Sequence, residues 1–218
     1  MITQNGGMST AIREEFESFI PGRLLKNIDP SRVAQILEFG CGESSSPFVS
    51  ARYFPDAQVT AYDTDKTKID RMINKQIVRD LELVRYTSQK PVELFDAVFA
   101  FSILHHNPEQ LIDEALGFLS ENGYIAIIDY DMKNISQNEF FQRWGHVDVE
   151  YQEKQSLGTE KAYQMHTSLG LEDYLNLLRE RNVKPIFYEG GLEALFSYGA
   201  LPGKHFVCLG SKENTDSN

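Results

Sequence analysis

Apolar runs of strand length alternate with segments of helical period along most of this chain, and that alternation restricts the fold more than any other feature. "QILEFG" (35–40), "QVTAYD" (58–63), "LELVRY" (81–86), "FDAVFAFS" (95–102) and "YIAIIDY" (124–130) read as five strands. The fourth is nearly continuous in apolar character, as a strand buried on both faces should be. Between them, "SPFVSARYFP", "KTKIDRMINKQ" and "NPEQLIDEALGFLSENG" read as helices. Ile69, Met72 and Ile73 share one helical face, and Leu111, Ala115, Leu116 and Leu119 form a stripe. Pro108 marks a helix start and Asn122-Gly123 a helix stop. Strands alternating with helices imply parallel pairing through right-handed crossovers. The fold class is therefore α/β, a Rossmann-like doubly wound sheet with helices on both faces.

Toward the C-terminus the pattern changes. Residues 132–165 are polar with scattered aromatics: Phe140, Phe141, Trp144, Tyr151 and Tyr163. "LGLEDYLNLLRERN" is helical, with Leu171, Leu175 and Leu178 on one side, and "VKPIFYEGG" and "KHFVCLGS" read as the last strands. "LEALFSYGALPG" between them is too long for a tight hairpin. "AIREEFESFIPGRLLKNI" supplies one or two amphipathic helices ahead of the sheet, and both termini read as frayed. With no internal repeat and no linker, one domain spans 1–218. It divides into a helical cap (1–30), a ligand-binding core (31–131), a variable region placed to act as a lid or to pack as core (132–165), and a last helix with strands (166–212).

The net charge of −11 argues against a nucleic-acid partner, since no surplus exists to neutralise phosphates. Two cysteines, Cys41 and Cys208, have no metal-like spacing and read as reduced, buried thiols. His146 and His166, with Asp148 and Glu150, make no compelling ligand set, so no metal is expected. The absence of a long apolar segment or secretory signal points to a cytoplasmic protein without a membrane span. Oligomeric state is left open.

The turn after the first strand, "EFGCGESS", determines what the core can bind. In a doubly wound sheet, ligands sit at the carboxyl ends of the strands beside the switch point, where a turn of small residues lets a ligand approach. A dinucleotide fingerprint would place a third glycine at Ser45. The competing pattern, acid-x-Gly-x-Gly-x-Gly, fits Glu38, Gly40 and Gly42, with Ser44 at the last position. An acid inside a buried central strand needs a partner, either a cationic ligand or an ordered network beneath it.

"ILEFGCGESS", then "VTAYDTD", then "FDAVFAFSILHHNPE…LIDEALGFLSENGYIAIID" resemble the class I S-adenosylmethionine-dependent methyltransferases, in particular the small-molecule branch similar to ubiquinone and menaquinone biosynthesis enzymes. The resemblance covers residues 33–132 and implies a seven-stranded sheet whose last strand is antiparallel. It implies S-adenosyl-L-methionine as cofactor, with Glu38, Gly40, Cys41, Gly42 and Ser44 around its methionine part. It implies Asp63, beside Thr64, on the two ribose hydroxyls, for which carboxylate oxygens suit a pair of donors. Asp63 also reads as a helix N-cap, a task open to Thr64 or Asp65 as well. Phe101 and Ser102 end the fourth strand near the adenine or methionine moiety. The family's usual acid after the third strand is missing; Thr87, Ser88 or Gln89 stands there, weaker acceptors than a carboxylate.

His105 and His106 follow the fourth strand, where an active site would open; they read either as a base or substrate contact, or as packing and capping groups. Asp129, Tyr130 and Asp131 end the fifth strand at the same face. "FSILHHNP" is not the Asn-Pro-Pro-aromatic motif of amino-methylating nucleic-acid enzymes. The leading reading is thus a methyltransferase acting on a small organic acceptor. A non-catalytic binding or scaffold member of the fold, and a nicotinamide-dependent oxidoreductase, are the rivals.

Overall fold

The β-branched and aromatic runs form seven strands: β1 (Gln35–Phe39), β2 (Gln58–Tyr62), β3 (Val84–Thr87), β4 (Phe95–Phe101), β5 (Leu119–Tyr130), β6 (Val183–Ala194) and β7 (Gly203–Lys212). They make one sheet in the order β3-β2-β1-β4-β5-β7-β6. The computed structural model describes residues 20–78, 83–143, 159–194 and 203–213. β1 pairs in parallel with β2 and β4, and β2–β3 and β4–β5 are also parallel. β7 runs antiparallel to both β5 and β6. The chain leaves β1 toward β3 and returns to β4 on β1's other side, so the strand order reverses at β1 and β4. A ligand crevice is expected at the carboxyl ends of those two strands.

The helices are α1 (Ile20–Leu25), α2 (Ser46–Tyr53), α3 (Lys66–Val78), α4 (Pro108–Gly117), α5 (Gln137–Arg143), α6 (Thr159–Thr167) and α7 (Leu171–Arg179). Two cores form, one on each face of the sheet. Ile36, Val59, Ala97 and Phe99 pack with α2 and α3 residues on one face. Leu37, Val98, Ile125 and Ile127 pack with α4 and α7 residues on the other. This is the doubly wound arrangement that the alternating pattern implies. α1 lies against β5, β6 and β7, burying Leu24 and Leu25. The remainder of the expected N-terminal cap lies outside the described residues.

The predicted stop of α4 at Asn122-Gly123 is displaced: α4 ends at Gly117. Phe118 and Leu119 are both core residues, and extending the chain there lets Leu119 pair with Phe95. Asn122, at φ 59°, is instead absorbed in an irregularity within β5, after which Tyr124 pairs with Ala97. A third, smaller core joins Tyr130, Met132, Ile135 and Phe140, with Tyr163 against it. Tyr163 donates its hydroxyl to the Ile135 carbonyl at 2.7 Å. Of the aromatics in the variable region, Phe140 and Tyr163 therefore pack within it, while Trp144 and Tyr151 lie outside the described residues. Among the described residues no helix is long and apolar enough to cross a membrane.

α7 shows how pattern becomes packing. Tyr174, Leu175 and Leu178 are buried, whereas Leu171 is half-buried at the helix start. We expect Leu175→Ala to cost about 2–5 kcal/mol, the usual range for emptying a fully buried leucine site. Leu171→Ala should cost less than half as much. Urea unfolding of the two variants against the parent checks the order.

Candidate active site

Two glycines shape the turn after β1. Gly40 and Gly42 sit at φ 67° and 54°, in the left-handed region that side chains resist. Their surroundings differ. A Cβ on Gly40 would lie 2.6 Å from Ile103 Cγ1, so this glycine admits the side chain that follows β4. A Cβ on Gly42 would meet nothing within 4 Å, so Gly42 faces open space. Cys41 between them is buried and its thiol is pushed well up by burial and by the neighbouring Asp63 and Glu38 charges. Burial likewise pushes Cys208 up to about 12.

Asp63 ties this turn to the end of β2. Its Oδ2 accepts the Gly42 amide at 2.8 Å and its Oδ1 accepts the Asp65 amide at 2.8 Å. Each oxygen keeps a further lone pair for a ligand donor. The helix-capping role belongs to Asp65, whose Oδ1 accepts the Thr67 and Lys68 amides at 2.9 and 3.3 Å. A cavity of about 330 Å³ opens here, walled by Phe39, Gly40, Tyr62, Asp63, Thr64, Asp65, Lys68, Ile103, His106, Leu111 and Glu114. Asp63, Asp65 and Glu114 face Lys68 in its lining, and Glu114 is itself paired with Lys90 at 2.9 Å, so the acidic character rests on Asp63 and Asp65.

Glu38 finds its partners in the protein. Its carboxylate is 2% exposed and accepts the hydroxyls of Ser46 and Ser50, at 3.0 and 2.5 Å, both from α2. Of the two partners open to this acid, the ordered network is the one present. Burial pushes Glu38 up to about 7, against the opposing pull of the two hydroxyls. Ser44 serves the same helix: its Oγ accepts the Ser46 amide at 3.1 Å and donates to Ser46 Oγ at 3.0 Å. Thr87 closes a local turn, its Oγ1 accepting the Gln89 amide at 3.0 Å. Ser102 adopts φ 55°, and its buried hydroxyl finds no partner among the described residues. Phe101 is stacked on Phe99 at 5.7 Å.

The two adjacent histidines differ in setting. His106 lines the cavity. His105 is 8% exposed, and its Nδ1 lies 2.8 Å from Asp129 Oδ1 while its amide donates to Asp129 Oδ2 at 3.1 Å. Asp129 also accepts the Tyr130 amide at 2.8 Å. Burial pushes the Asp129 carboxyl up, but attraction to His105 and these hydrogen bonds outweigh it and hold the group below its ordinary value. The His105 ring lies 4.4 Å from that of His106, 4.6 Å from His166 on α6, and 4.9 Å from Tyr130. Among the described residues no group of three or more His, Cys, Asp or Glu is placed to hold a metal.

Gly40, Asp63, Thr64 and His106 thus line the cavity directly. Gly42 opens beside it, and Glu38, Cys41, Ser44, Thr87, Phe101, Ser102 and His105 stand behind or around it. Sequence reasoning did not single out the other lining residues, Phe39, Tyr62, Asp65, Lys68, Ile103, Leu111 and Glu114, for the site. A signal existed for two of them: Leu111 and Glu114 are three apart on one helix, directly after the turn that closes the cavity.

Residues 37–127, from β1 into β5, match the family model described as a methyltransferase domain. Among solved structures the chain is similar to a Galdieria sulphuraria protein provisionally named a sarcosine dimethylglycine methyltransferase, with TM-score 0.62, 13% identity, and 93% of this chain and 86% of that one covered. It is also similar to an S-adenosylmethionine-dependent methyltransferase from Aquifex aeolicus, with TM-score 0.58, 14% identity and coverage of 94% and 99%. A third is coclaurine N-methyltransferase bound to N-methylheliamine and S-adenosylhomocysteine, with TM-score 0.58, 12% identity and coverage of 93% and 72%. At these identities the likeness is one of fold. The seven-stranded sheet has the fold of these methyltransferases, and the methyltransferase-domain match lies on its cofactor-side half, from β1 into β5.

The Glu38 network makes stability depend on pH. Between about pH 4.5 and 7 the unfolded chain releases this proton while the folded chain retains it. Folding stability therefore falls as pH rises through that window, by about 3 kcal/mol, and levels off above it. Glu38→Gln, which keeps an oxygen and a donor between the two serines, should remove this slope. Urea unfolding at a series of pH values measures it.

Proposed function

We propose that this chain transfers a methyl group from S-adenosylmethionine to a small organic acceptor. The observation that carries the reading is the pairing of Gly42, which faces open space, with Asp63, whose carboxylate stands in the wall of the adjacent cavity. These residues fit the cofactor. Asp63 has acceptor capacity left for the two donors of a ribose diol. Thr64 and Ile103 offer wall to a flat base, and the acidic lining favours a cationic ligand over an anionic one. When bound, the cofactor supplies a methyl group on a sulfonium. The residues of this chain then orient the donor and exclude water, which is most of what an in-line displacement requires.

Thr87 in place of a carboxylate after β3 leaves the adenine amino group with a neutral acceptor at most, which weakens the hold without removing it. His105 and His106 face the acceptor side. The small-molecule branch similar to quinone-biosynthesis enzymes is our reading of motif order in residues 33–132. Two buried, unpaired thiols suit a reducing compartment such as the cytoplasm. The variable region, with α5 and α6, is read as the segment that covers the acceptor. No nucleic-acid partner is proposed, given the net charge of −11.

Asp63→Ala should weaken S-adenosylmethionine binding by roughly 1.5–3 kcal/mol, the scale of charge-assisted hydrogen bonds. Asp63→Asn, which keeps one acceptor, should fall between it and the parent. Titration calorimetry on the folded variants checks both; unchanged affinity would remove Asp63 from the cofactor site. If α6 covers the acceptor, its amide hydrogen exchange should slow on adding S-adenosylhomocysteine more than that of α7, and equal protection of the two would count against a lid.

A further inference from the structure

Of the three carboxylates that line the cavity, two already have a task. Asp63 joins the turns after β1 and β2 and stands where a ribose diol would be held. Asp65 caps α3, its Oδ1 accepting the Thr67 and Lys68 amides. Glu114 reaches the cavity from α4, one helical turn beyond Leu111. Its Oε1 accepts Lys90 Nζ at 2.9 Å, and among the described residues its Oε2 accepts no hydrogen bond. Lys90 in turn lies 5.4 Å from the centre of the Phe118 ring. A surface pair of this kind adds little stability, but a lysine held on an aromatic face fixes where its carboxylate stands.

The wall around Glu114 suits a flat ring. Leu111 and Tyr62 line the same cavity. Burial pushes the Tyr62 hydroxyl up, with Glu114 and Asp63 adding to it against Lys90, so the phenol lies among these charges. Adenine presents its ring nitrogens as acceptors and its exocyclic amino group as the donor. A carboxylate, which only accepts, can meet it at the amino group alone. Thr87 does not compete. Its Oγ1 accepts the Gln89 amide at 3.0 Å and donates to the Gln89 carbonyl at 3.2 Å, so the hydroxyl is occupied by its own turn. The loop after β3 thus leaves a neutral acceptor at most. α4 brings a charged one, and the lysine that holds it comes from that same loop.

We propose that Glu114 reads the adenine amino group, its carboxylate accepting an amino hydrogen, with Lys90 as the positioning residue; this rests on the methyl-transfer reading above. The carboxylate that selects the base then comes from the helix after β4 instead of from β3. Its preference is for what stands at position 6 of the purine. A purine without the amino group loses the bond, and a 6-oxo purine sets an acceptor against the carboxylate.

Titration calorimetry on the whole chain compares S-adenosylhomocysteine with its counterpart that carries unsubstituted purine in place of adenine. If S-adenosylhomocysteine does not bind the parent, the methyl-transfer reading fails and the inference falls with it. If it binds, the parent should prefer it about tenfold over the purine counterpart, the scale of one hydrogen bond to a charged group. Glu114→Ala should bring the ratio of the two affinities close to one. Glu114→Gln, which keeps an uncharged acceptor, should leave it between those values. Both changes fall on a part-exposed helical position, and urea unfolding checks that the variants fold. Lys90→Met, which removes the clamp and leaves the carboxylate, should lower the ratio without erasing it. Asp63→Ala should weaken both ligands alike and keep the ratio. Equal affinity of the parent for the two ligands, a ratio that survives in folded Glu114→Ala, or one erased by Asp63→Ala would each overturn the assignment of Glu114 while the cofactor reading stands. A ratio unmoved by Lys90→Met would overturn the role given to Lys90.

Discussion

A carboxylate at the end of a buried strand has to find hydrogen-bond donors in the chain that leaves the sheet, and this requirement organises the molecule. Glu38 in β1 draws in Ser46 and Ser50 and so seats α2 on the sheet. Asp63 after β2 takes the Gly42 and Asp65 amides, joining two neighbouring turns. Asp129 in β5 takes the ring and amide of His105 and so fixes the turn after β4. Asp131, two residues on, accepts the Leu171 amide at 3.3 Å and the Gly191 amide at 2.7 Å, fastening the start of α7 and a bulge of β6. Four acids at or near strand ends thus fix the turns around the crevice, Asp63 in its wall and Glu38 and Asp129 buried behind it. The donors they recruit are backbone amides, serine hydroxyls and one imidazole rather than lysine or arginine.

The same economy explains why the rim is acidic without being unstable. Surface ion pairs such as Arg71–Glu43 and Arg85–Glu93 decorate the periphery and contribute little each. The inner carboxylates depend instead on short, directed hydrogen bonds at fixed geometry, which lose their value if a turn shifts. These bonds fasten the turns where the chain enters and leaves the central strands. The ring contacts from His106 through His105 to His166 connect those turns to the third small core around Phe140.

Much of this was legible in the sequence, for physical reasons. Strand and helix periods decide which faces are buried, so the alternation gave the sheet, its two cores and the position of the crevice. The Gly40–Gly42 turn and Asp63 were legible because the constraint at a switch point is local. Contacts between distant strands were not. His105 and Asp129 are 24 positions apart, and no period or spacing encodes their meeting. Neither does sequence say that Gly40 makes room for Ile103 while Gly42 faces open space; both read as glycines that admit a ligand. Glu38 had two possible partners, and the choice was settled by serines on the next helix, whose orientation only the packed fold defines. The end of α4 was misplaced because a strong local stop at Asn122-Gly123 was overridden by the need to bury Phe118 and Leu119.

The two cysteines carry a practical consequence. Cys41 lies within the glycine turn and Cys208 in β7; both are buried, and both thiols are pushed above their ordinary range by burial first of all. Since the thiolate is the reacting species, neither is a ready target for alkylating reagents or mild oxidants in the folded protein. The chain contains no others. A cysteine introduced on the surface would then be the sole reactive thiol, so fluorophores or spin labels can be attached at chosen positions without first removing the native pair.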